Sequence, residues 1–184
     1  MTAALALMDS GISTFRSTDR RVRFPKPSST LSRGTALTDV VPKFTARVLS
    51  GDEGWALVID ATEPLGSWVE DVAQRVFYLL SLPEGWDSYG ARRVNPDAIT
   101  EALRLLGEAM SAGQDIQLPD LTPGPNGEIQ LDWHRDGTIL EVDISDPTSA
   151  TVFFHDEATG AEWESNLAEI RRRLPHLIKQ HFSM

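Results

Sequence analysis

An α+β fold, an antiparallel β-meander packed against about three helices with a flexible N-terminal arm, is predicted by three features of this chain. The runs Glu128–His134 and Thr138–Ile144 alternate apolar and polar residues around Asp136-Gly137, a favoured two-residue hairpin turn. Two stretches, 68–81 and 95–112, instead carry apolar residues at helical spacing. Upstream of Ala36 the texture changes to Ser, Thr, Arg and Pro, which cannot bury enough apolar surface to offset the entropy of ordering. The predicted organisation is a basic arm over residues 1–35 and one acidic domain over 36–184.

Within the domain, Val40, Val41, Phe44, Ala46, Val48 and Leu49 suggest an extended segment. Gly51–Gly54 reads as a turn into a second strand at 55–59, the two pairing as a hairpin. Ser67 with Glu70 matches a capping box for a helix over 68–81, and Val69, Val72, Val76, Leu79 and Leu80 form its stripe before Pro83 ends it. Asn95 followed by Pro96 starts the next helix, with Ile99, Ala102, Leu103, Leu106 and Met110 on one side and Gly113 placed to close it.

In the hairpin at 128–144, the turn sets the register. Arg135 opposite Thr138 makes Trp133 face Leu140, Leu131 face Val142 and Ile129 face Ile144, while Asp132 faces Glu141 and Gln130 faces Asp143 on the polar side. A third strand follows at 150–155, where Val152 and Phe154 compete with Phe153 for the inward face. The meander thus has about three strands between 117 and 156, with the 40–60 hairpin as a possible extension. A last helix over 166–181 is capped by Ser165 or Asn166 and bent or restarted at Pro175.

The chain has 184 residues, 41% of them hydrophobic, so one core needs no covalent staple. It contains no cysteine, which excludes disulfides, thiolate nucleophiles and thiolate metal sites and points to the cytoplasm. No secretory signal or membrane-length apolar run is visible in it. The net charge of −10 is unevenly divided: residues 1–50 hold eight Lys and Arg against three Asp, and the remainder is correspondingly more acidic. Such a body repels nucleic acid and favours a basic protein partner, leaving the arm, through Arg20, Arg21 and Arg23, as the one place for phosphate contacts.

Candidate site residues fall in two places. On the polar side of the hairpin, Asp132, His134, Glu141 and Asp143 concentrate titratable groups, and facing like charges destabilise a sheet unless something offsets them. Solvent, an arginine, a metal or a basic partner can offset them, solvent usually sufficing, and a metal would make the group the centre of a metal-assisted hydrolase. In the loop Pro83–Ala91, Trp86, Asp87 and Tyr89 form either a structural plug, the favoured reading for Trp86, or a recognition surface. Gly124-Pro-Asn-Gly127 is a turn, since it lacks the Lys-Ser/Thr and following helix of a phosphate loop. Arg171-Arg172-Arg173 reads as favourable charge along the last helix. No Ser/His/Asp arrangement, catalytic residue, resident metal or cofactor is expected.

The runs Leu82-Pro-Glu-Gly-Trp-Asp-Ser-Tyr-Gly-Ala91, Asn95-Pro96, Pro123–Trp133 and Leu140–Ile144 resemble a group of small, uncharacterised bacterial proteins. These share a Gly-Trp-Asp-x-Tyr-Gly-Ala loop and an Ile-Gln-Leu-Glu/Asp-Trp strand. The likeness covers residues 80–145. It implies a bacterial origin and a shared fold, and carries over no catalytic residue. It also tilts the reading toward a non-enzymatic binder, antitoxin- or immunity-like, of a defence or mobile-element system. The alternatives from other classes are the metal-assisted hydrolase and a DNA-binding regulator acting through the arm.

Overall fold

The structure, a computed structural model, describes residues 3–8, 44–51, 54–61, 66–113 and 115–184. Its elements are β1 (Ala3–Met8), β2 (Phe44–Gly51), β3 (Gly54–Ala61), α1 (Trp68–Ser81), α2 (Pro96–Met110), β4 (Asp120–Pro123), β5 (Ile129–Arg135), β6 (Thr138–Asp146), β7 (Ser149–Asp156), β8 (Ala161–Asn166), α3 (Leu167–Ile170) and α4 (Leu174–Phe182). They form two antiparallel sheets, β1-β3-β2 and the meander β4-β5-β6-β7-β8. The class is α+β, as the sequence predicts.

The β5–β6 register is the one read from the turn: Trp133 pairs with Leu140, Leu131 with Val142, Ile129 with Ile144, and Asp132 with Glu141. Asp136 and Gly137 both adopt positive φ, the mirror-image turn whose twist matches that of the strands it joins. In β7 the open choice resolves toward Val152 and Phe154, which are buried, and Phe153 points to the opposite face. The meander has five strands rather than three, because β4 and β8 flank the expected ones. The 44–61 hairpin forms, but it does not extend the meander: with β1 it makes a sheet of its own.

Helix α2 explains that separation. It touches β2 on one side and β5 and β6 on the other, and Ala98, Ile99, Ala102, Leu103, Leu105, Leu106 and Ala109 are all fully buried. Burial this far round a helix marks one lying between two layers. A β-carbon on Gly107 would overlap the Phe44 ring, so glycine is what lets β2 approach. The backbone N–H of Val48 donates to Thr100 Oγ1 at 3.3 Å, so the helix also occupies the outer edge of β2.

Helix α1 buries Val69, Val72, Ala73, Val76, Leu79 and Leu80, the predicted stripe, and ends at Leu82, held extended by the following Pro83. The capping box is not made. Ser67 adopts helical angles, and its side chain makes no capping hydrogen bond. Asn95 does cap α2, accepting from the Asp97 N–H at 3.0 Å. That helix ends before Gly113, at Met110, where the Ser111 hydroxyl donates to the Gly107 carbonyl at 2.7 Å.

The predicted last helix is broken into α3, capped by Asn166, and α4, with Pro175 in its first turn. Phe182 packs beside the fully buried Trp133, whose indole N–H donates to the Gln117 carbonyl at 2.9 Å. Arg171 lies between α3 and α4 and pairs with Glu101 and, at 2.8 Å, with Glu108. Glu101 is buried, so this pairing, with Arg104 at 3.1 Å, is what allows its charge into the interior. Arg171 is therefore a bridge between α2 and the C-terminal helices, not a solvated helix-end charge.

Residues Ala3–Met8, counted with the arm in the sequence reading, pair along β3. The other arm residues singled out there, Arg20, Arg21 and Arg23, lie outside the described residues.

Candidate functional site

Strand alternation sends one side of the meander into the core, and the other meets α1 across a cleft at its β4 end. Pairing across the five strands sets Asp120, Asp132, Glu141, Phe153 and Glu164 in one transverse row. A flanking row holds Thr122, Gln130, Asp143, Thr151 and Asn166, and the other holds His134, Ile139, His155 and Glu162. These rows contain six carboxylates and no Lys or Arg. Phe153 and Ile139 are half-buried, giving the acidic face an apolar middle.

Asp132 is the most constrained of these acids. Thr122 Oγ1 donates to its Oδ2 at 3.3 Å, while Oδ1 is buried without a hydrogen-bond partner. Loss of water pushes its carboxyl above the usual carboxylate range, the Glu141 charge adds to this, and Thr122 and His134 oppose it. Asp143 is raised in the same direction, first by partial loss of water and then by Glu141, Glu128 and Glu164. The compensating arginine that facing carboxylates could have attracted is absent from the face; His155 Nδ1 lies 3.3 Å from Glu162 without making a hydrogen bond.

Asp132, His134 and Glu141 each present a ligand atom, and the three atoms lie within 4.8 Å of one another. Two carboxylates and an imidazole are a donor set that zinc or manganese accepts. His134 is exposed and none of the three donates to or accepts from another, so the group is loosely held for a metal centre. Beside it, a cleft of about 340 Å³ separates β4 from α1, with Arg75 and Asp71 on one wall and Asp132 and His134 on the other. Arg75 Nε donates to the Leu121 carbonyl at 2.9 Å, and its guanidinium sits 5.1 Å from the Tyr78 ring centre.

The Trp86 loop is elsewhere, packed on the turn that precedes β5. Asp87 Oδ1 accepts from the N–H groups of Tyr89 at 2.8 Å and Ala91 at 2.9 Å, which hold its carboxyl below the usual range. The Gly85 N–H donates to the Ala91 carbonyl at 2.7 Å, closing the loop, and Gly85, Ser88 and Gly90 all take positive φ. Trp86 is half-buried, its indole N–H donating to the Arg92 carbonyl at 3.2 Å. Tyr89 is 94% exposed. The loop thus divides the residues that the sequence grouped: Asp87 is a structural tie, Trp86 a partial plug, and Tyr89 an aromatic presented to solvent.

The sequence therefore brings Asp132, His134, Glu141 and Asp143 together correctly and leaves Trp86, Asp87 and Tyr89 as a separate feature. It misses Asp120, Glu162 and Glu164, the outer members of the acidic face. For Glu162 and Glu164 the signal was the weak alternation in Ala161–Asn166 after the Thr159-Gly160 turn; Asp120, in the four-residue β4, had none. Among the described residues no helix is long and apolar enough to cross a membrane. Comparison with protein families, curated proteins and solved structures finds no match to this chain.

Proposed function

We propose that this chain is a non-enzymatic protein-binding module that takes a basic partner on the acidic face of its five-stranded sheet. The observation that supports this most is the row Asp120, Asp132, Glu141 and Glu164, four carboxylates with Phe153 among them and no cation in the rows on either side. In the free chain these charges repel one another, so a partner bearing Lys and Arg gains from contacts that the isolated domain cannot supply internally. Phe153 and Ile139 add apolar contact at the centre, where interfaces derive most of their energy. The resemblance carried by the Trp86 loop and the Ile129–Trp133 strand favours an antitoxin- or immunity-like setting for that partner.

The test begins with recovery of the bound protein from a native host, followed by purification of both components and calorimetric titration at rising salt. Affinity should fall as salt rises, and Glu141→Gln with Glu164→Gln should weaken binding while leaving the melting temperature unchanged or higher. Binding that is indifferent both to salt and to these substitutions would sink the reading.

A further inference from the structure

The two outer strands of the meander are finished differently. At β4 the edge is occupied: Arg75 donates to the Leu121 carbonyl, and Pro123 has no N–H to offer. At β8 it is not. Among the described residues no strand lies beyond β8, and no backbone group from outside the β7–β8 ladder bonds to it. Ala161, Glu162, Glu164 and Asn166 are all exposed, as an open edge requires.

We infer that β8 is a docking edge onto which an extended partner segment of alternating basic and apolar residues adds as a sixth strand. This rests on the basic-partner reading above and specifies how that partner binds. Alternation supplies the chemistry of the occupant. Glu162, Glu164 and Asn166 project on the acidic side, beside His155, Phe153 and Thr151, so every second residue of an added strand meets carboxylates and is matched by Lys or Arg. The intervening residues fall on the side of Trp163, which is half-buried and stacks on Phe154 with ring centres 5.3 Å apart. Trp163 there offers an apolar neighbour to a Val or Ile. Main-chain hydrogen bonds then supply affinity and the two side-chain rows supply selectivity. A second copy of this chain is a poor occupant: antiparallel pairing of β8 with itself about Trp163 brings Glu162 of each copy against Glu164 of the other, like charges that destabilise a ladder.

The probe is an eight-residue peptide alternating Lys and Val, compared with the same peptide methylated on every internal amide nitrogen. Methylation keeps the charges and side chains and removes the donors that an added strand needs. The full chain should bind the unmodified peptide at least tenfold more tightly, and that peptide should slow amide exchange in β8 severalfold. Equal affinity for the two peptides would overturn the docking edge while leaving the acidic face as a binding surface. So would unchanged exchange of the outward-facing β8 amides on binding, or protection of those same amides, which do not bond to β7, in the free chain, whether by its own residues or in a concentration-dependent dimer. Loss of tight binding in Glu162→Gln with Glu164→Gln, with β8 exchange in the free chain unaltered, would confirm that the carboxylates select the occupant.

Discussion

Gly127 and the carbonyl of Arg93 meet so closely that a β-carbon at residue 127 would lie 2.7 Å from that oxygen. The contact joins the Trp86 loop to the turn before β5, and hydrogen bonds from Arg92 N to the Pro125 carbonyl (2.9 Å) and from Asn95 N to the Gly127 carbonyl (2.8 Å) flank it. The Trp86 loop and the turn leading into β5 are therefore one structural unit. Gly127 also sits at φ +94°, so Gly127→Ala combines strain with a backbone clash. It should destabilise the domain by about 2 kcal/mol or more in urea denaturation. A loss below about 0.5 kcal/mol would show that the loop and the turn are not held together.

Trp86 and Tyr89 should separate in the same assay. Trp86→Ala removes a half-buried ring and its hydrogen bond to the Arg92 carbonyl, and should cost about 2 kcal/mol, less than a fully buried tryptophan would. Tyr89→Ala should stay within about 0.5 kcal/mol, since its side chain is exposed. Similar losses for both would mean that Tyr89 contributes to the fold.

The ion pairing between α2 and the α3–α4 junction gives a third expectation. Arg171→Ala leaves Glu101 buried with Arg104 alone as partner, and should cost about 3 kcal/mol. Replacing both Arg171 and Glu101 by Met should recover most of that loss, because no buried charge then remains unpaired. Chemical denaturation of the two variants decides it; equal instability would mean that packing of the arginine stem matters more than its charge.

What the sequence revealed of this architecture follows from where its signals are strong. The β5–β6 hairpin was readable to the residue because Asp136-Gly137 admits one turn type and both strands alternate large apolar side chains. Strand β8 carries only Trp163 as a large apolar residue, since its position at the rim gives it little core to cover. Strand β4, four residues long, is too short to show a period. Ser67 and Glu70 have the spacing of a capping box, but that pattern says nothing of the backbone angles that decide whether the bond forms. Glu101 was invisible as a core residue because its partner, Arg171, is 70 residues away.

The acidic face should leave a mark on pH dependence. Asp132 and Asp143 have carboxyls raised above the ordinary 3.8. For an acid raised in the folded state, the stabilising contribution is complete below the unfolded value and is lost as pH rises through the folded one. At neutral pH both ionised groups are therefore a cost. Asp132→Asn should raise stability at pH 7 by about 0.2–1 kcal/mol, with the advantage shrinking as pH falls toward 4. Asp87, Asp146 and Asp156 are shifted the other way, so parent and variant must be compared at each pH rather than read from the parent profile alone. An advantage that grows on acidification would contradict the assignment.

Divalent cations discriminate between the binding module and the metal-assisted hydrolase. Asp132, His134 and Glu141 are close enough to share an ion, and an ion there would offset the repulsion between the two carboxylates. If the group is a resident metal site, zinc, manganese, magnesium or calcium should raise the melting temperature saturably, and the increase should vanish in Asp132→Asn, because a ligand that binds the native state stabilises it by mass action. The geometry argues for the other outcome. Thr122 already engages Asp132 Oδ2, His134 is exposed, and no second carboxylate fixes the imidazole, as the partners of metal-binding histidines commonly do. Titration should accordingly give no specific, saturable shift, and Asp132→Asn should melt at or above the parent temperature with or without added cation. A saturable rise that Asp132→Asn abolishes would displace the binding module and put metal-assisted hydrolysis first.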